Sequence, residues 1–325
     1  MKYRELGRTG LLISEVGYGG WGIGGWGPRD DNEALTSLRR AFDLGVNFFD
    51  TAAGYGGGHS ETLIGKAFKG MRDKVIIASK IPPKTHRWPV KDSDPLQETF
   101  PPEWIIESTE QSLRNLDTDY LDLQQLHAWT PAYLAQPEWR EALLQLQQQG
   151  QVRAFGVSAN DWDPYGAVGL AKSGLVDSIQ VVFNIFEQRP AEQLLPAAEA
   201  AGVGIIARVP FEEGLLTGTI GPDTRFPEGD WRAKWLTPER LAEGAQRVKE
   251  LERFLGPDCP TLAALALKFI LSHSAVSTTI PGMRRVAHVE ANVSVSDGRP
   301  LPPEVLEELK QHSLVHGWKY PWSCD

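Results

Sequence analysis

Four side chains capable of proton chemistry stand at the ends of three successive apolar runs. Asp50 follows Val46-Asn47-Phe48-Phe49, Tyr55 comes five residues later, Lys80 ends the run that starts at Val75, and His127 ends the run that starts at Tyr120. Singly, each has an ordinary structural role as a cap, a packed ring, a solvated charge or a hydrogen-bonded imidazole. Together they form a proton donor with its tuning groups. A phenol has a reference pKa of ~10 and is a poor acid unless its anion is stabilised. An adjacent ammonium does that, and a carboxylate holds the ammonium in place. An imidazole can orient a carbonyl oxygen. The set supplies no evident nucleophile and no metal-ligand cluster. A reaction that asks the protein only for a proton at a carbonyl is hydride addition from a bound nicotinamide, where the cofactor carries the difficult step. A rival use of Lys80 is a Schiff base, the chemistry of an isomerase or lyase.

These residues need elements to bring them together. Amphipathic segments that end at glycine and give way to β-branched or apolar runs recur at Gly45, Gly150, Gly174 and Gly202. Glycine ends a helix cheaply, so each instance reads as helix, glycine, strand. Eight strands are predicted, at residues 12–18, 46–49, 75–80, 120–127, 151–155, 178–183, 203–207 and 275–280. Between them lies helical spacing. Trp139, Leu143 and Leu146 share a face stopped by Gly150; Leu241, Ala245, Val248, Leu251 and Leu255 form a stripe ended by Gly256; Pro101-Pro102-Glu103 opens a helix over 104–116. Strand-helix alternation implies a parallel sheet. Eight units predict an α/β fold, a (β/α)8 barrel formed by residues 1–325 as one domain, with active groups at the C-terminal strand ends. An open doubly wound sheet is the alternative. Residues 211–260 predict a long loop and an added helix over one mouth, and residues 3–13 a small hairpin plugging the other.

The composition sets further bounds. Hydrophobic residues make up 41% and charged residues 23%, which fits a globular chain and excludes disordered, collagen-like and coiled-coil classes. A net charge of −9 argues against nucleic acid and anionic membranes as partners. Two cysteines, Cys259 and Cys324, make neither a disulfide framework nor a zinc site. The first residues show no apolar signal region, and the longest apolar run, 262–271, is too short to span a bilayer. A cytoplasmic protein is expected.

The run Gly45-Val46-Asn47-Phe48-Phe49-Asp50-Thr51-Ala52-Ala53-Gly54-Tyr55-Gly56, followed by Ser60-Glu61 and Leu63-Ile64-Gly65, resembles the signature of the aldo-keto reductases. The opening Arg8-Thr9-Gly10 and the closing Ile280-Pro281-Gly282-Met283-Arg284 agree with it, so the resemblance covers essentially the whole chain. It implies a (β/α)8 barrel, NADPH/NADP+ as cofactor, and the reduction of a small-molecule aldehyde or ketone. The family's tetrad falls on Asp50, Tyr55, Lys80 and His127, with Tyr55 as proton donor, Lys80 and Asp50 as its tuning pair, and His127 orienting the carbonyl. Some relatives serve instead as channel-associated subunits that sense cofactor redox state with little turnover, which is the alternative reading.

The resemblance also implies a cofactor site. Gly20 and Trp21 would lie at the nicotinamide ribose; Ser158, Asn160 and Gln180 would hold the carboxamide, although Ala159 separates a serine and asparagine that are adjacent in the common pattern. Arg208 stands where many members place a stacking aromatic, and it could stack or grip a phosphate. Leu215-Leu216-Thr217-Gly218 would cross the pyrophosphate. Gly282, Met283 and Arg284 would lead to the 2′-phosphate, which suits an arginine at a helix start. His288 stands where relatives often have glutamine, and Asn292 would meet the adenine. Trp21, Trp88 and Trp129 are expected to wall the substrate pocket, beside a substrate loop over residues 81–101. One motif misleads: Gly17-Tyr18-Gly19-Gly20-Trp21-Gly22 matches G-x-G-x-x-G, but no helix opens inside it. Glycine and tryptophan continue through Gly24, Gly25, Trp26 and Gly27 to Pro28, and the next helix starts near Asp31.

Overall fold

The computed structural model of the chain describes residues 1–24, 30–161 and 163–314. Gly25, Trp26, Gly27, Pro28 and Cys324 lie outside them. Strands β1 (Tyr3–Glu5) and β2 (Leu12–Ser14) pair antiparallel, with Arg4 opposite Ile13. Eight parallel strands follow: β3 (Tyr18–Gly19), β4 (Phe48–Asp50), β5 (Ile76–Ile81), β6 (Leu121–Leu126), β7 (Val152–Ser158), β8 (Ser178–Val182), β9 (Gly204–Arg208) and β10 (Val276–Thr279). Each pairs with the next in sequence. Parallel bridges from Val16 to Thr279 and from Gly19 to Gly282 join the two edges. This is the (β/α)8 barrel, and the open sheet is excluded.

The helices are α1 (Asp31–Asp43), α2 (His59–Ala67), α3 (Leu96–Thr99), α4 (Pro102–Leu116), α5 (Glu138–Gln148), α6 (Val168–Ser173), α7 (Pro190–Ala201), α8 (Arg232–Trp235), α9 (Pro238–Leu251), α10 (Leu262–Leu271), α11 (Val286–Val293) and α12 (Pro303–Leu309). Local signals explain their limits. Asp30 accepts from the Glu33 N–H at the start of α1. Gly174 and Gly202 cap α6 and α7 in the left-handed conformation, with φ of 63° and 67°. The barrel interior holds Phe48, Ala78, Leu123, Ala154 and Ile206, each from a different strand, and Ile280 just after β10. Leu6 and Ile13 of the hairpin close its N-terminal end, where the plug was expected.

Three expectations need correction. The run 12–18 is not one strand: 12–14 belongs to the plug hairpin, and the barrel strand is only Tyr18–Gly19. Gly256 does not end the helix that carries Leu241. That helix stops at Leu251 and tightens into a 3₁₀ turn, Glu252–Phe254, leaving Leu255 beyond it. Residues 211–260 hold two helices, α8 and α9, rather than one. The G-x-G-x-x-G stretch forms β3 and a 3₁₀ turn, Gly20–Ile23, with α1 starting only at Asp31, so it is not a dinucleotide fingerprint. No helix among the described residues is long and apolar enough to cross a membrane.

Candidate active site

The strand ends carry the expected residues to one rim. Asp50 ends β4 and Lys80 stands one residue from the end of β5. His127 follows β6, its N–H donating to the Ile81 carbonyl at 2.9 Å. Tyr55 is brought back by a turn in which its N–H donates to the Ala52 carbonyl at 3.0 Å. The next residue, Gly56, has φ of 64° and lies against the Gly24 carbonyl, so a side chain there would collide with backbone. Thr51 donates to Ser60, and Ser60 donates to the Gly20 carbonyl at 2.8 Å, which ties the loop after β3 to the same corner.

Lys80 is the hub. Its Nζ donates to Asp50 Oδ1 at 2.5 Å, to the Thr51 carbonyl at 2.7 Å and to the Tyr55 hydroxyl at 3.3 Å. Burial alone would pull the Lys80 ammonium down, but the charge and hydrogen bonds of Asp50 and Tyr55 outweigh it and hold its pKa above the ordinary lysine value. With three acceptors engaging its Nζ, this ammonium is not presented as a free amine, which weighs against the Schiff-base reading. Burial pushes the Tyr55 phenol up, and Lys80 pulls against that rise. Tyr55 therefore keeps its proton until something nearby demands it. Burial, then Lys80 and Arg208, hold His127 well below the usual histidine range. His127 is a neutral imidazole that can donate one hydrogen bond. Its ring meets Tyr55 edge-on at 5.6 Å and Trp88 at 4.7 Å.

Behind this group lies a wall of amides. Ser158 pairs in register with Gln180 across β7 and β8. Gln180 Nε2 donates to Asp50 Oδ2 at 2.8 Å, and Asn160 Nδ2 donates to the Val90 carbonyl at 2.8 Å. The oxygens Gln180 Oε1 and Asn160 Oδ1 are buried and make no hydrogen bond among the described residues. A buried acceptor left so costs about 1–3 kcal/mol. Two acceptors and a hydroxyl are the complement of a primary amide, with its two N–H donors and one carbonyl. The donor set fits the carboxamide of a nicotinamide.

The remaining predicted residues are placed as follows. Gly20 is buried against the Asp50 backbone, and Trp21 lies 6.5 Å from the Tyr55 ring. Arg208 ends β9, where it holds Asp161 at 2.6 Å and the Ala159 carbonyl at 3.0 Å. Leu215 is buried in the 3₁₀ segment Glu212–Thr217, against α9. Gly282 makes the bridge to Gly19, and Met283 is fully buried. Arg284 is half-buried and precedes α11 by two residues rather than opening it. His288 is exposed on α11, and Asn292 is buried and donates to the Gly282 carbonyl at 3.4 Å. Trp88 meets His127, but Trp129 does not wall the pocket. It packs on Trp139 and Tyr133, in the core.

Three residues escaped sequence reasoning. Trp231 stacks on Trp21 at 5.9 Å, although nothing periodic marks it. Asp161 anchors Arg208; an acid next to Asn160 was the only signal. Glu213 is half-buried, with its carboxyl near Glu212 and Asp161, and that carboxyl is pushed up to about 8 by loss of water around it and then by those two acids.

Residues 15–314 match the Aldo/keto reductase family. The chain is 32% identical over 302 residues to aldo-keto reductase YhdN of Bacillus subtilis (strain 168), covering 90% of this chain and 87% of that protein. It is 30% identical over 311 residues to the NADH-specific methylglyoxal reductase of Escherichia coli (strain K12), covering 90% and 93%. Among solved structures, the holo form of aldo-keto reductase AKR11C1 from Bacillus halodurans superposes with a TM-score of 0.76 at 30% identity, covering 97% of this chain and 98% of that one.

Proposed function

The chain belongs to the aldo/keto reductase family, and from that premise we propose that it reduces aldehydes or ketones to alcohols with NADPH, Tyr55 giving up the proton. The observation that carries this reading is the bridging ammonium of Lys80, which touches both Asp50 Oδ1 and the Tyr55 hydroxyl. A bound nicotinamide would supply the hydride, held at its carboxamide by Ser158, Asn160 and Gln180. As negative charge grows on the substrate oxygen, the Tyr55 proton moves to it. The phenolate that forms is stabilised by the Lys80 ammonium, which Asp50 keeps charged and in place. Neutral His127 donates to the same oxygen and orients it, and Trp21 and Trp88 flank the approach.

The preference for NADPH rests on Arg284, whose charge stands just before α11. Gly282, Met283 and Asn292 support that turn, and His288 lies on the same helix. Arg208 positions the segment around Ala159, and Leu215 supports the loop across the pyrophosphate.

Two substitutions test these roles. Tyr55→Phe should lower kcat by about 10²–10⁴-fold, the range for general-acid catalysis, with the NADPH Kd unchanged. Full activity in this variant would refute the proton-donor role. If the unaltered protein fails to oxidise NADPH with a panel of aldehydes and ketones, the reductase reading gives way to a cofactor-binding subunit. Arg284→Gln should weaken NADPH by about tenfold to a hundredfold, as expected for a charged hydrogen bond, and leave NADH unaffected. Equal losses for both cofactors would exclude the 2′-phosphate contact.

A further inference from the structure

Asn160 faces two ways. The peptide before it still follows the sheet, with the Ala159 N–H donating to the Gln180 carbonyl at 2.8 Å. Arg208 donates to the Ala159 carbonyl and to the Asp161 carboxylate, so it holds the backbone on one side of Asn160 and a side chain on the other. The side chain reaches across the rim to the loop between β5 and α3, where Nδ2 donates to the Val90 carbonyl. A carbonyl only accepts, so the amide orientation is fixed, and Oδ1 is the atom left buried without a hydrogen bond among the described residues.

The loop it holds carries part of the substrate wall. Val90 is two residues from Trp88, whose ring meets His127 edge-on at 4.7 Å. Other ties secure the ends of the loop: Trp104 Nε1 to the Pro82 carbonyl, Lys84 N–H to the Thr99 carbonyl, Thr130 to Asp92, and the Tyr133 hydroxyl to the Asp94 carbonyl. Asn160 ties the middle, next to Trp88.

We propose that Asn160 is a positioning residue that straps the substrate loop to the cofactor, its Oδ1 accepting from the nicotinamide carboxamide while its Nδ2 holds Val90. This rests on the reading of the amide wall as the carboxamide site. One planar group then sets the distance between the hydride donor and the Trp88–His127 wall.

Asn160→Asp keeps an acceptor and loses the N–H; Asn160→Ala loses both. Three quantities are to be measured for each: NADPH Kd by fluorescence titration, KM and kcat with 4-nitrobenzaldehyde as probe, and tryptic cleavage of the loop at exposed Lys84, Arg87 and Lys91 with and without NADPH. In the unaltered protein NADPH should slow that cleavage. Asn160→Asp should bind NADPH within about twofold of normal, raise KM about fivefold to tenfold as expected for one lost hydrogen bond, and lose the NADPH protection of the loop. Asn160→Ala should raise both Kd and KM. An Asp variant with normal KM and normal protection would reduce Asn160 to a cofactor contact and overturn the strap. An Ala variant with normal NADPH Kd would reduce it to a loop contact and overturn the bridge. If the unaltered protein does not bind NADPH at all, the underlying function falls, and the strap with it.

Discussion

Burial and charge oppose one another at Tyr55 and Lys80 and act together at His127. Tyr55 is raised by burial and restrained by Lys80; Lys80 is lowered by burial and raised more by Asp50 and Tyr55. At Glu213, half-buried, the loss of water and two neighbouring acids win over the arginines. Its carboxyl, pushed up to about 8 by burial and then by Glu212 and Asp161, is only partly relieved by Arg232 and Arg208. In the unfolded chain the same group ionises near 4.5. Between these values the native state holds a proton that the unfolded state has lost. Stability therefore falls as pH rises from about 4.5 to about 8, and is flat above that. Glu213→Gln removes the effect. Its Tm gain should be near zero at pH 5, grow with pH and level off above pH 8, at about 2–4 °C per kcal/mol. A gain that does not vary across thermal melts from pH 5 to 9 would show that Glu213 is ionised in the fold. Residue types were legible here, since acid, phenol, ammonium and imidazole declared themselves at run ends. The balance of burial against charge was not, because it depends on neighbours far away in sequence.

At the scale of elements, periodicity read the helices and most strands well, because each repeats its pattern over many residues. It failed where the signal was short. Residues 12–18 look like one apolar strand, yet the barrel uses only Tyr18–Gly19 and gives 12–14 to the hairpin. Nothing local distinguishes two short strands from one long one. Helix α2, which carries the Tyr55 loop at its start, rests on α4 at Gly65. A methyl there would press on the backbone of Leu116, with its Cα at 2.9 Å and its carbonyl nearer still. Backbone cannot swing away as a side chain does, so Gly65→Ala should cost about 1–3 kcal/mol. A thermal melt reads this directly, and an unchanged Tm would show that α2 and α4 do not meet so closely.

For the molecule as a whole, closure of the sheet is what turns scattered strand ends into a site. The bridges Val16–Thr279 and Gly19–Gly282 bring the last strand beside the first, and with them Arg284 to the corner that holds Gly20 and Trp21. The amino-acid sequence alone determined the alternation of strands and helices, the barrel that alternation builds, and the four groups at its rim. Those follow from local periodicity and from the rule that a parallel strand delivers its last residue to one face. Only the tertiary structure decided who meets whom: Asn160 with Val90, Arg208 with Asp161, Trp231 with Trp21, Trp129 with the core rather than the pocket. Such pairings join loops of no regular pattern across many residues of chain. They are selected by shape and by the removal of water, neither of which exists until the barrel has closed.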